Sequence, residues 1–320
     1  MSFAPAWWCR GAHLQTLWPR LSRYRPRIAL RRERLELPDG DFLDLDWTPR
    51  ASGPTVVILH GLEGSSNSPY ARGLLKAVHD RGWCGVLMHF RGCSAETNRL
   101  PRGYHSGETG DIAHLVNVLT KRQPRTPLAV VGYSLGGNAL LKWLGEAGTQ
   151  APLSAAVAVS VPFVLGESAD RLHRGFSRIY EWYFLHSLVR TAKRKAERMP
   201  LPIDLHHIDK VGSIRQYDDL VTAPLHGFKH ADDYYARSSS RQYLKGIRVD
   251  TLMLQAADDP FMTPSVVPAA TELSPHVTLE LHAHGGHVGF VSGAAPWRAR
   301  YWLEQRIPDF LQDYLGASRA

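Results

Sequence analysis

Three cysteines in 320 residues are too few, and the wrong parity, for a disulfide framework, and the spacing of Cys9, Cys84 and Cys93 fits no zinc site. A cross-linked secreted scaffold is thereby excluded, and a reducing cytoplasm is the simplest setting. A chain this long buries roughly three quarters of its unfolded surface and needs no such staple. Long apolar runs are also missing. The longest uncharged stretch that reads as apolar, Ala151 to Leu165, falls short of a bilayer span. The opening Met1-Ser2-Phe3-Ala4-Pro5-Ala6-Trp7-Trp8 lacks the basic and then apolar order of a secretion signal. Ser2 stands where myristoylation requires Gly. There is no internal repeat and no low-complexity tract.

Positive charge is plentiful, with a net +8, but it is not spread as in a nucleic-acid binder. Arg20 to Arg34 holds seven Arg against one Glu, and Arg190 to Arg198 five basic residues against one Glu; these stretches carry +10 and leave the rest at −2. No nucleic-acid motif accompanies them, so solvated faces are expected and nucleic acid is not. With Trp7, Trp8, Leu14, Leu17 and Trp18, the first stretch has two readings: an aromatic arm packed on the body, or a peripheral membrane contact. Oligomeric state leaves no trace in the sequence.

Glu33 to Leu37 and Phe42 to Trp47 alternate apolar and polar residues around Pro38-Asp39-Gly40, the pattern of an antiparallel N-terminal hairpin. The next runs are continuously apolar: Thr55–Leu59, Gly85–Met88, Leu128–Val131, Ala156–Val159, Thr251–Leu254 and Val277–Leu281. Strands covered on both faces read this way. Helical spacing separates them over Tyr70–Arg81, Gly110–Arg122 and Asn138–Glu146, and a closing helix is expected from about Trp297 to Tyr314, broken near Pro308. The expectation is a single α/β domain: eight strands, mostly parallel, with helices on both faces. After the sixth strand comes an aromatic- and Arg-rich insertion over residues 161–249, expected to cap the C-terminal edge of the sheet rather than form a second domain.

The most informative stretch is Gly132-Tyr133-Ser134-Leu135-Gly136, a G-x-S-x-G pattern between an apolar strand and a helical repeat. A strand that turns at once into a helix strains its middle residue and leaves no room for bulky neighbours, so the glycines have a steric purpose. The turn lifts the Ser134 hydroxyl clear of the backbone beside the positive end of a helix. A serine hydroxyl is a poor nucleophile without a base held by a third group. Asp258-Asp259-Pro260-Phe261 follows the seventh strand, and His282-Ala283-His284-Gly285-Gly286-His287 the eighth. Asp259 is preferred as the acid, with Asp258 capping the turn or binding backbone amides, and His287 as the base because two glycines free its loop. A metal site on His282, His284 and His287 lacks an acidic ligand pattern. After the third strand, His60-Gly61-Leu62 turns tightly enough to aim the Leu62 N–H at the site, with the Leu135 N–H as its partner in an oxyanion hole. His60 is also read as a structural histidine bonding the loop backbone.

These stretches, with Gly11-Ala12-His13-Leu14-Gln15-Thr16-Leu17, His60-Gly61-Leu62-Glu63-Gly64, Arg91-Gly92-Cys93-Ser94, Tyr104-His105-Ser106-Gly107 and Gly285-Gly286-His287-Val288-Gly289-Phe290, resemble the YheT-like subfamily of α/β-hydrolases, in order, from about residue 10 to residue 310. The resemblance implies a serine esterase with Ser134, Asp259 and His287 as its triad, and an α/β-hydrolase fold. It also implies that the stretches at Arg91 and at Tyr104 shape the floor of the site. His60, Gly61, Tyr133 and Phe163 are expected to contact an ester substrate whose acyl part is apolar. Such chemistry requires no metal or organic cofactor. An acyltransferase or peptidase on the same triad, or a non-catalytic ligand-binding protein of this fold, are the rival readings.

Overall fold

Strands built almost wholly of Val, Ile, Leu and Ala are stable only when both faces are covered. In the computed structural model, which describes residues 3–22, 24, 26–49 and 53–316, both faces are covered. Met1 and Ser2, and Arg23 and Arg25 of the first basic stretch, lie outside the described residues.

The chain begins with a helix, α1 (Ala12–Leu21), and then the hairpin β1 (Arg31–Glu36) and β2 (Phe42–Trp47). Alternation follows: β3 (Thr55–Leu59), α2 (Pro69–Asp80), β4 (Cys84–Met88), α3 (Gly110–Arg122), β5 (Leu128–Tyr133), α4 (Leu135–Ala147) and β6 (Ala155–Val159). The last sheet strands are β7 (Thr251–Ala256) and β8 (Val277–His282). Their spatial order is β1-β2-β4-β3-β5-β6-β7-β8. From β4 to β8 every neighbour is parallel, while β2 runs antiparallel to β4. This is the eight-stranded, mostly parallel sheet with an antiparallel entry hairpin that the strand pattern implied.

Alternate residues of each strand feed two cores. Val57, Leu59 and Val130 pack with α3 and α4 on one face. Val56, Ile58 and Val131 pack with α2 and the closing helix α10 (Leu303–Leu315) on the other. Between β6 and β7 lie α5 (Leu165–Leu172), α6 (Arg178–Ala196), α7 (Ile214–Tyr217), α8 (Ala223–Leu225) and α9 (Ala231–Ser238). Leu165, Leu185, Ile208 and Tyr235 give this segment a core of its own, joined to the body at Leu62 and Phe184.

The closing helix departs from expectation. Residues 296–298 form a tight turn, and Val291–Ser292 pairs with Arg300–Tyr301 in a separate two-stranded ladder. Helix α10 (Leu303–Leu315) then runs through Pro308 without a break. Burial of Leu303, Ile307, Leu311 and Leu315 against the sheet offsets the one hydrogen bond that proline removes. Among the described residues, no helix is long and apolar enough to cross a membrane.

Candidate active site

The turn from β5 into α4 is made by what is missing from it. Ser134 has φ +51° and ψ −118°, a conformation rarely adopted by residues with a side chain. A Cβ on Gly132 would meet the Gly136 carbonyl oxygen at 2.5 Å, and one on Gly136 would meet the Leu59 and His60 carbonyl oxygens at 2.6 Å. Glycine alone lets the strand, the helix and the loop after β3 approach this closely. Buried Asn138 then locks α4 in place, donating to the Ser106 and Ser238 carbonyls at 2.9 and 2.8 Å and accepting the Ser240 N–H at 2.9 Å.

His287 Nε2 lies 3.0 Å from Ser134 Oγ, and Nδ1 lies 2.8 Å from Asp259 Oδ2. A carboxylate only accepts, so the Nδ1 proton faces Asp259 and the Nε2 lone pair faces the hydroxyl. Asp259 is buried, and its other oxygen accepts the Phe261 N–H at 2.9 Å. The Phe261 ring stacks on the imidazole, centroid to centroid 4.0 Å. Asp258 accepts the Gly286 N–H at 2.9 Å, so it binds a backbone amide of the histidine loop. The three histidines whose metal reading lacked an acidic ligand pattern diverge. His282 packs against Trp302, His284 faces Asp258, and His287 faces Asp259. No cluster of His, Cys, Asp or Glu placed to hold a metal occurs among the described residues.

Leu62 and Leu135 both line the cavity beside Ser134, and among the described residues neither N–H donates to a protein acceptor. The loop carrying Leu62 is fixed on every side. Gly61 N–H donates to the Tyr70 hydroxyl at 2.9 Å and Glu63 N–H to the Tyr104 hydroxyl at 2.8 Å. The Glu63 carboxylate accepts from Tyr104 at 2.9 Å and from Ser187 of α6 at 2.7 Å.

The cavity between the sheet edge and the insertion is lined by Leu62, Leu165, Leu172, Phe184, Leu188 and Phe261, with a polar wall including Arg91, Asn98, Tyr104, His105 and Lys195. Burial pushes the Lys195 ammonium down to about 8, against an opposing pull from Asp41. It also pushes the Asp218 carboxyl up to about 6.

The four expected substrate contacts are displaced from this cavity. His60 is fully buried; its Nδ1–H donates to the Gly61 carbonyl at 2.7 Å and its Nε2 accepts the Phe90 N–H at 3.1 Å. Burial holds it neutral, pushed down to about 3. Tyr133 points to the opposite face of the sheet, where its ring packs on Tyr70. Phe163 is enclosed in the core, and Gly61 packs beside Ser134, where a Cβ would lie 3.3 Å from the serine Cβ, without lining the cavity. Standing next to the serine in sequence does not place a side chain on its open side, because strand neighbours alternate faces.

The role of α1 has no counterpart in the sequence reading. Thr16 Oγ1 accepts the His287 N–H at 2.9 Å, and Ser160 Oγ accepts the Val288 N–H at 3.0 Å. The fully buried Gln15 accepts the Val291 N–H at 2.6 Å and donates to the Val291 carbonyl at 2.9 Å. Gly286 and Gly289 press against the Ala12 and Gln15 carbonyls, where a Cβ would sit within 2.5 Å. The one clue was a polar Gln-Thr pair inside the Gly11 to Leu17 stretch.

A family model described as the alpha/beta hydrolase fold matches residues 54–294. The chain is 47% identical to "Putative esterase YheT" of Escherichia coli, over 98% of this chain and 94% of that one. It is 30% identical to "Phospholipase ABHD3" of Mus musculus, over 97% and 78%. Among solved structures, an esterase of Pyrococcus furiosus, Pf2001, superimposes with a TM-score of 0.61 at 18% identity, covering 90% of this chain and 92% of that one.

Proposed function

This chain belongs to the α/β-hydrolase family as a YheT-like member, and from that premise we propose that it is a serine hydrolase cleaving carboxylic esters with lipid-like or short- to medium-chain acyl groups. The observation that carries the reading is the hydrogen-bonded line Ser134–His287–Asp259 at an apolar cavity that Leu62 and Leu135 also line, their N–H groups without a protein acceptor among the described residues.

His287 Nε2 takes the Ser134 proton as Oγ bonds to the ester carbonyl carbon. Asp259 keeps the imidazole in the tautomer that can accept it. The carbonyl electrons move onto oxygen, and the Leu62 and Leu135 N–H groups receive that charge, each contributing about 3 kcal/mol. The tetrahedral adduct collapses, His287 gives its proton to the departing alkoxide, and an acyl-enzyme on Ser134 remains. Water, deprotonated by the same imidazole, repeats the sequence and frees the acid. The segment 161–249 is the cap: Phe184 and Leu188 of α6 face the cavity and favour an apolar acyl chain. Relatives named as an esterase and a phospholipase support a lipid-like ester.

Labelling with a fluorophosphonate probe and hydrolysis of p-nitrophenyl esters of increasing chain length test the proposal. Ser134→Ala is expected to abolish labelling and lower turnover by at least about 10⁴-fold; a variant that kept either would refute the assignment. Product analysis with added alcohols separates hydrolysis from acyl transfer.

A further inference from the structure

Of the nine large exposed hydrophobic side chains among the described residues, six belong to α1, α6 and the turn before α6; Trp7, Leu281 and Trp297 do not. Phe176, Ile179, Trp182 and Tyr183 lie on the outward face of α6 and the turn before it, with Ile179 53% and Trp182 64% exposed. Leu14 and Leu21 stand exposed on α1. The two helices meet there: the His13 and Phe176 rings are 4.3 Å apart, and the Arg20 guanidinium sits 4.6 Å over the Tyr183 ring. The inward face of α6 lines the cavity, and α1 carries the Thr16 that holds His287. The exposed surface therefore flanks the candidate site.

Charge follows the same surface. Arg20, Arg174, Arg178 and Arg190 are exposed, and among the described residues none has a carboxylate within ion-pairing distance. Further along the insertion the basic residues are mixed: Lys193 is matched by Asp209 and Arg215 by Asp170, while exposed Arg194 and Arg198 have no carboxylate at that distance among the described residues.

We propose that this face of α1 and α6 docks on an anionic lipid bilayer. A helix presents a convex surface, which suits a plane rather than a protein segment seeking a groove. Trp, Tyr and Ile set among arginines is the composition that settles at the boundary of headgroups and acyl chains, where long basic side chains bury their stems and keep their charge in water. A second copy is a poor occupant, because a two-fold contact sets the same patch against itself and brings arginine to arginine. Docking would bring the cavity to its lipid-like ester; in that purpose it rests on the proposed reaction, while the binding itself does not.

The test uses the full chain carrying Ser134→Ala, so that vesicles stay intact and binding is read apart from turnover. Sedimentation with vesicles of two parts phosphatidylcholine to one part phosphatidylglycerol is expected to carry the protein down. Affinity should exceed that for pure phosphatidylcholine by at least about tenfold and fall as salt rises to about 0.5 M. Ile179→Ser with Trp182→Ser should weaken binding about a hundredfold at all salt concentrations. Arg174→Gln, Arg178→Gln and Arg190→Gln together should weaken it about tenfold at low salt and flatten the salt dependence. With Ser134 restored, both sets should hydrolyse soluble p-nitrophenyl butyrate at the parental rate, which shows that they fold. Failure of the parent to bind anionic vesicles, or equal binding by the substituted proteins, overturns the proposal. Self-association lost with Trp182→Ser, in the absence of vesicle binding, would assign the face to a second copy. A parent that docks but hydrolyses no ester leaves this inference standing and removes the proposed reaction.

Discussion

Ser134 and His287 meet at 3.0 Å, yet they are held there in opposite ways. The serine turn is fixed by the absence of side chains: Gly132 and Gly136 let three pieces of backbone touch, all within the sheet and the helix that follows it. The histidine loop is fixed by the presence of side chains drawn from the length of the chain, with Thr16 and Gln15 from α1, Ser160 after β6 and Asp258 after β7. Backbone-on-backbone contact is close to all or none. A loop tied by separate hydrogen bonds can lose them one at a time.

The sharpest way to break this contrast is to add atoms at the first site. Gly136→Val puts its Cβ 2.6 Å from two carbonyl oxygens, that of Leu59 at the end of β3 and that of buried His60 just after it, which have no room to retreat. We expect a loss of more than about 4 kcal/mol, seen as little folded protein by circular dichroism. At the histidine loop, Gln15→Leu keeps the volume but strands the buried N–H of Val291 and takes the side-chain donor from the Cys9 carbonyl. A destabilisation of about 2–3 kcal/mol is expected in urea unfolding, with a folded protein surviving. If Gln15→Leu proved as destructive as Gly136→Val, the proposed difference between the two supports would be gone.

Thr16→Val sharpens the contrast further, because at nearly constant volume it removes the acceptor for the His287 N–H, together with a bond to the Ala12 carbonyl that lies within α1. Stability should fall by about 1 kcal/mol. Turnover should fall about tenfold with KM nearly unchanged, since the ring that must reach Ser134 loses its anchor while the cavity keeps its shape. A rise in KM alone would mean that Thr16 acts on the cavity and not on the imidazole.

The same contrast explains what could be read from the sequence. Glycines that make room stand beside the serine they serve, so Gly132 to Gly136 announced the turn. The ends of β7 and β8 placed Asp259 and His287 at one edge because a parallel sheet gathers its strand ends there. The α1 clamp was hidden: Gln15 and Val291 are 276 residues apart, and nothing local distinguishes a buried glutamine from a solvated one. His60, Tyr133 and Phe163 lie outside the cavity lining for a related reason, since chain proximity fixed their distance from the serine but not the face they occupy. The course of α10 through Pro308 likewise depended on burial, a tertiary quantity.

The smallest expected effect tests where the two supports join. Glu304 of α10 accepts a hydrogen bond from Tyr24, just beyond α1, at 2.8 Å, and it lies against the same pocket as Tyr133 of the serine strand. Gly73 of α2 leaves space for its carboxyl. Burial pushes Glu304 up from 4.5 to about 7, and the Tyr24 hydrogen bond only partly opposes this. In the unfolded chain the group ionises near its ordinary value. Between 4.5 and about 7 the folded state therefore binds more protons, and stability falls as pH rises through that window and levels off above it. Glu304→Gln removes this contribution, because the amide stays neutral and still accepts from Tyr24. Urea midpoints at about pH 5 and about pH 8 should thus diverge less in Glu304→Gln than in the parent, by on the order of 1–2 kcal/mol. Comparing the two proteins cancels the opposite slopes of buried acids such as Asp46, held low by His89 and Arg32 against its burial. An equal pH dependence in both would mean that Glu304 meets enough water to ionise freely, and that α10 joins the two supports through packing alone.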